Sequence, residues 1–260
     1  MRAGGAGVVV RRAIRAGVVC TIVSALAALR RGRAAVLDGN QDALQVCRRY
    51  RSLRMWAVLN PRHAASFRQV AAILRDPACR GIKIHPAEHA WPFRRYGAQV
   101  LAFAAEHGAV VLTHSGSIES RPGDVADVVV RFPHVAVILA HLGNSNRVRR
   151  YDEQVAAILG APEARLYVDT SSCLSICSGL IEMAADALPA DRILFGSDSP
   201  LYCVHSQRAR IEGAEIPPAM KRRILRDNAL ALFPAEARWQ PRSGSRAREH
   251  QRRILTHASS

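Results

Sequence analysis

Along this chain, short apolar runs alternate with longer stretches whose apolar positions recur every three or four residues. The runs are GVVCTIVSA (17–25), RMWAVLN (54–60), GIKIHP (81–86), AVVLTHS (109–115), VAVILAH (135–141), RLYVDTS (165–171) and RILFGSD (192–198). Their length and β-branched character predict strands. Between them, QDALQVCRRYRS, AASFRQVAAILRD, FRRYGAQVLAFAAEHG and RVRRYDEQVAAILG carry helical spacing. Asp76-Pro77, Gly160-Ala161-Pro162 and Leu188-Pro189 stop helices where strands should follow. Strand starts fall roughly 25–40 residues apart, the size of a βα unit.

Continuously apolar strands between helices imply a parallel sheet covered on both faces. Seven units leave two architectures, an open doubly wound sheet or a nearly complete (β/α)8 barrel. No G-x-G-x-x-G follows any strand, so a dinucleotide-binding sheet has no positive support. At 260 residues and 49 % hydrophobic content, the chain can build one sizeable core.

Charge modifies this picture at the two ends. The formal net charge is +16, and Lys83 and Lys221 are the only lysines among 37 basic residues. The arginines are scattered and no nucleic-acid-binding motif is visible, so no specific nucleic-acid partner is expected. Residues 1–37 contain no acid. A basic start before AGVVCTIVSALAAL resembles a targeting segment. The simpler reading is a buried strand, because the run is short of the roughly 20 residues needed to span a bilayer. The expectation is therefore a cytoplasmic protein with no membrane partner. From about Ala237 the arginine-rich tail, residues 237–260, reads as a solvated, disordered extension. The six cysteines form no C-x-x-C pair and read as free thiols, with Cys173 and Cys177 on one helix face.

The chemistry gathers at the strand ends. GIKIHP ends in Lys83 and His85, VLTHSG in His114, VILAHLG in His141, LYVDTSS in Asp169 and Thr170, and LFGSDSP in Ser197 and Asp198. Carboxyl ends of parallel strands hold the active sites of α/β folds. Alternation puts Val110, Leu112 and His114 on one face, Leu139 with His141, and Leu194 and Gly196 with Asp198. Singly, each polar residue has an ordinary reading. A strand-end histidine is commonly hydrogen-bonded in the core, and Asp198-Ser199-Pro200 suits a helix N-cap. Three histidines and two aspartates at the same place on successive strands point instead to a shared site. Imidazoles and a carboxylate in a dry barrel mouth suit a divalent metal such as zinc. Such a metal would activate a bound water, with a neighbouring carboxylate or histidine taking its proton.

These strand-end motifs, followed by Asn228-Ala229 and Leu232-Phe233, resemble the amidohydrolase superfamily. More narrowly, they resemble its amidohydrolase-related branch of TIM-barrel, metal-dependent hydrolases, which includes aminocarboxymuconate semialdehyde decarboxylase. The resemblance covers roughly residues 15–233. It implies that His114 and Asp198 are metal ligands and that His141 and Asp198 are catalytic. It also implies that Lys83 and His85 contact substrate or metal, and Asp169, at the neighbouring strand end, is expected to contact substrate. The family's first strand ends in an H-x-H pair supplying two further ligands, and this chain contains no H-x-H.

The expected fold is therefore an incomplete (β/α)8 TIM-barrel-like α/β domain over residues 17–236. Residues 1–16 would be the remnant of its first βα unit. GAGVVVRRA offers some strand character for the gap, but the end of a first helix fits it better. The second and eighth family strands would carry unpaired edges. The expected function is metal-dependent hydrolysis of a small amide, ester or lactone. The alternatives are non-oxidative decarboxylation, or an inactive barrel that binds or scaffolds. One expectation is that the H-x-H pair is encoded upstream of Met1; a homo-oligomer is also compatible with the sequence.

Overall fold

The computed structural model describes residues 5–145, 151–171 and 177–238. Seven strands form one parallel sheet in chain order: β1 (Thr21–Val23), β2 (Leu53–Val58), β3 (Cys79–Ile84), β4 (Val110–His114), β5 (Val137–Ala140), β6 (Leu166–Asp169) and β7 (Ile193–Leu194). Every neighbouring pair is parallel. Among the described residues no pairing joins β7 back to β1, so the sheet is a seven-stranded barrel that does not close.

The helices are α1 (Ala6–Arg15), α2 (Arg33–Arg49), α3 (Ala64–Leu74), α4 (Pro86–His89), α5 (Phe93–Glu106), α6 (Pro122–Val129), α7 (Glu153–Leu159), α8 (Leu180–Ala187), α9 (Val204–Gly213), α10 (Pro218–Arg222) and α11 (Asn228–Leu232). Each of the seven apolar runs overlaps a strand, and α2, α3, α5 and α7 overlap the four helical patterns. None of the helices is long and apolar enough to cross a membrane.

Alternation along the strands sorts the core into two layers. Met55, Ile82, Ile84, Val111, Val137, Leu139, Leu166 and Val168 face outward into the main core beneath the helices. Trp56, Ile138, Tyr167 and Leu194 face inward, with Ile22 and Leu112 against them. Phe233, just after α11, plugs this interior and meets Trp56 edge to face at 5.6 Å between centroids. Gly81 makes that packing feasible, because a Cβ there would run into the Trp56 ring and the Val110 carbonyl. At the strands' amino ends, Glu236 accepts from Arg54 Nε at 2.8 Å and Arg80 Nε at 2.7 Å, tying the C-terminal turn across the barrel floor.

The structure decides four readings of the sequence. The run 17–25 gives a strand of only three residues, each half-buried, because nothing pairs on its outer side. GAGVVVRRA is helical, as the favoured reading had it, and not a strand filling the gap. Asp198 does not cap a helix: α9 starts at Val204 with Cys203 at its N-cap, and the Asp198 carbonyl instead accepts from Leu201 N. The edge of the last strand is not left bare. Phe195 N donates to the Ile224 carbonyl at 2.9 Å, and Asn228 Nδ2 donates to the Ile193 carbonyl at 2.8 Å. The turn of 223–227 and the start of α11 thus stand where a further strand would hydrogen-bond. Cys173 and most of the tail (239–260) lie outside the described residues.

Candidate active site

The strand ends converge on one cavity of about 560 Å³, lined by Lys83, His85, His141, Asp169 and Asp198 among others. Lys83 points inward from β3 and is 6 % exposed. Burial lowers its pKa, and the carboxylates of Asp169 and Asp198 oppose that shift. His85 follows β3 at the N-cap of α4, where its Nδ1 accepts from Glu88 N at 3.3 Å.

His114 ends β4 and stands between the other two imidazoles. It stacks on His85 at 4.1 Å between centroids and meets His141 edge-on at 5.0 Å. Its Nδ1 is buried without a hydrogen-bond partner. Burial is the first cause lowering the pKa values of His85, His114 and His141; His114, Lys83 and His141 lower His85 further, His141 and Lys83 bring His114 to about 2, and Lys83 adds to the lowering of His141. For His141 the carboxylates of Asp169 and Asp198 pull the other way.

His141 reaches the mouth by a route that strict alternation misses. Leu139 packs outward, so alternation would send His141 outward too. The strand ends at Ala140, and His141 takes a left-handed backbone, φ +73°, which swings its ring inward. Asp198 makes a similar departure with φ +49°. Behind β4 the Ser115-Gly116 turn supports this loop. Asn144 Nδ2 donates to Ser115 O at 2.7 Å, and Gly116 (φ +92°) lies so close that a Cβ would strike the Asn144 carbonyl.

A relay the sequence reading did not single out fixes the His141 ring. Asp169 Oδ1 accepts from His141 N (3.0 Å), Ser171 N (2.9 Å) and Ser171 Oγ (2.5 Å). With the Ser171 hydroxyl proton committed to Asp169, His141 Nδ1 donates to the Ser171 carbonyl at 3.0 Å, beside Oγ at 2.9 Å. The neutral ring is then the Nδ1–H tautomer, leaving the Nε2 lone pair available. Burial raises the pKa of Asp198 against the pull of His141 and Lys83. The sequence signal for the relay was the Asp-Thr-Ser-Ser run itself, which offers hydroxyls directly after a strand-end carboxylate.

A family model, amidohydrolase, matches residues 25–235. The chain belongs to the amidohydrolase family. No curated protein matches it in sequence. Solved structures similar to this amidohydrolase-family chain include an uncharacterised TIM-barrel protein of Bordetella bronchiseptica. That one has 22 % identity and a TM-score of 0.71, and the match covers 90 % of this chain and 84 % of that one. Another is 2,6-dihydroxybenzoate decarboxylase from Rhizobium, at 15 % identity and TM-score 0.67, covering 90 % and 89 %. A third is a dihydroxybenzoic acid decarboxylase from Polaromonas with bound manganese and 2-nitroresorcinol, at 15 % and 0.68, covering 90 % and 87 %. At these identities the likeness shows the fold.

Does this amidohydrolase barrel fit a metal? The free Nδ1 of His114 offers one lone pair. The rings of His85 and His114 are stacked, 12° apart, so their in-plane lone pairs lie in two near-parallel planes that do not share a point between them. His141 Nδ1 is engaged with Ser171. Among the described residues, no three His, Cys, Asp or Glu side chains come together in a way that could hold an ion. A catalytic zinc takes three protein ligands and a water. The described side chains do not fit it.

Proposed function

We propose that the barrel mouth takes a small carboxylic acid and that the chemistry is non-oxidative decarboxylation. The observation that carries this reading is the placing of Asp198, whose pKa burial raises, with buried Lys83 and the hydrogen-bonded imidazole of His141 on one cavity. The dihydroxybenzoate decarboxylases of the same fold support it. In this reaction the C–COO⁻ bond breaks, its electron pair stays on carbon, CO₂ leaves, and one proton must reach that carbon. Asp198 supplies the proton in this reading, and Lys83 stabilises the negative charge that builds on the organic fragment. The proton lost by Asp198 is replaced from solvent, with the His141 Nε2 lone pair accepting it and passing it on.

The test is release of ¹³CO₂ from a panel of carboxyl-labelled aromatic and aliphatic acids by the purified chain, with and without added zinc or manganese. Turnover that falls at least 100-fold in Asp198→Asn supports the reading. Cleavage of amides, esters or lactones with no CO₂ release points to the hydrolytic reaction instead. Saturable binding without turnover favours a silent binding barrel, the reading supported by the incomplete donor set.

A further inference from the structure

The polar groups occupy only part of the cavity. The same space runs sideways into the opening between β1 and β7, where its walls are Val9 and Ala13 of α1, Ile22 of β1, and Leu225, Ala229 and Phe233 near the C-terminal helix. Val19, Leu26 and Leu201 also line the cavity and are 52 %, 41 % and 48 % exposed. The two arginines on this side are already engaged. Arg208 bonds the Ala16 carbonyl and Glu212, and Arg226 pairs with Asp227.

We propose that this apolar wing is a binding subsite for the hydrophobic tail of the substrate, whose polar head lies at Lys83, His141 and Asp198. The ligand class is then an amphiphilic carboxylic acid with an alkyl or arylalkyl chain. This rests on the carboxylic-acid reading of the mouth. Three observations favour a small-molecule tail over a protein segment. The wing and the polar mouth are one continuous cavity. Its volume of about 560 Å³ falls in the range of small-molecule sites. The β7 edge of the opening is already hydrogen-bonded by Ile224 and Asn228, so an incoming strand finds no free ladder on that strand.

The test is calorimetric titration of the full-length protein with straight-chain acids from butanoate to dodecanoate, below their micelle concentrations, and with the matching alcohols. The subsite predicts affinity rising about fourfold per methylene until the wing is full. Ala13→Trp and, separately, Ala229→Trp should each cut the decanoate-over-butanoate preference at least tenfold. Acids binding with no dependence on chain length overturn the subsite and leave the head-group reading standing. Alcohols matching acids in both affinity and slope overturn the head-group reading and leave the wing. Light scattering that shows a dimer broken by Ala13→Trp, with the chain-length slope unchanged, identifies the wing as a self-association surface and refutes the proposal.

Discussion

Acidification should unfold this protein at a pH where most carboxylates are still charged. The cause is the stack of His85, His114 and His141, all held neutral by burial and by their mutual proximity to Lys83. In the unfolded chain each imidazole titrates at its ordinary value, about 6.5. The folded values lie lower, so between the two the unfolded state binds more protons and stability falls as pH drops below about 6.5. One histidine whose folded pKa stays well below 5 costs about 2 kcal/mol at pH 5, from 1.36 kcal/mol per pH unit over about 1.5 units. Three independent histidines reach about 6 kcal/mol as an upper bound, comparable with a typical domain's whole net stability of about 5–15 kcal/mol. Asp198 acts in the opposite sense, since its raised pKa favours the folded state at lower pH, but it is one group against three. Buried His89, also lowered, adds to the loss. Urea unfolding at pH 8, 7, 6 and 5 should give near-constant stability from 8 to 7 and a steep decline from 6 to 5. His114→Gln should remove about one histidine's share of the slope. Equal urea midpoints at pH 7 and 5, or stack imidazoles titrating near 6.5 by NMR, would refute the reasoning.

Two further predictions follow from the hydrogen-bond pattern. Asn228→Ala strips a partner from both the Ala190 and Ile193 carbonyls, each at 2.8 Å, and should cost about 2–4 kcal/mol of stability by thermal or urea unfolding. Ser171→Ala removes the hydroxyl between Asp169 and His141 while keeping the carbonyl contact. It should leave the fold intact by circular dichroism, weaken the Nδ1–H preference seen in ¹⁵N shifts of His141, and change the pH profile of any turnover; an unaltered tautomer would show that the carbonyl alone sets it.

Much of this architecture was legible in the chain. The seven apolar runs mark the seven strands, and the polar residues ending them meet at one mouth because parallel strands share a direction. What was not legible depends on local backbone choices and on the missing partner strand. Leu139 and His141 look co-facial by counting, yet a left-handed backbone at His141 reverses the ring's direction. Asp198 looks like a helix cap, yet five residues of turn precede α9. Ser171 follows an aspartate like any loop serine, and only the fold brings it to His141. The closing role of Asn228 depends on an edge that a complete barrel would pair with a strand.

The central claim is that the mouth delivers a proton to carbon as CO₂ departs, with Asp198 as its donor. Its most direct test is turnover of a carboxyl-¹³C acid in D₂O, following the product by NMR and the gas by mass spectrometry. The account predicts one deuterium at the vacated carbon for each ¹³CO₂ released, and loss of both signals together in Asp198→Asn. Full-rate ¹³CO₂ release in Asp198→Asn, with deuterium still incorporated, would contradict it.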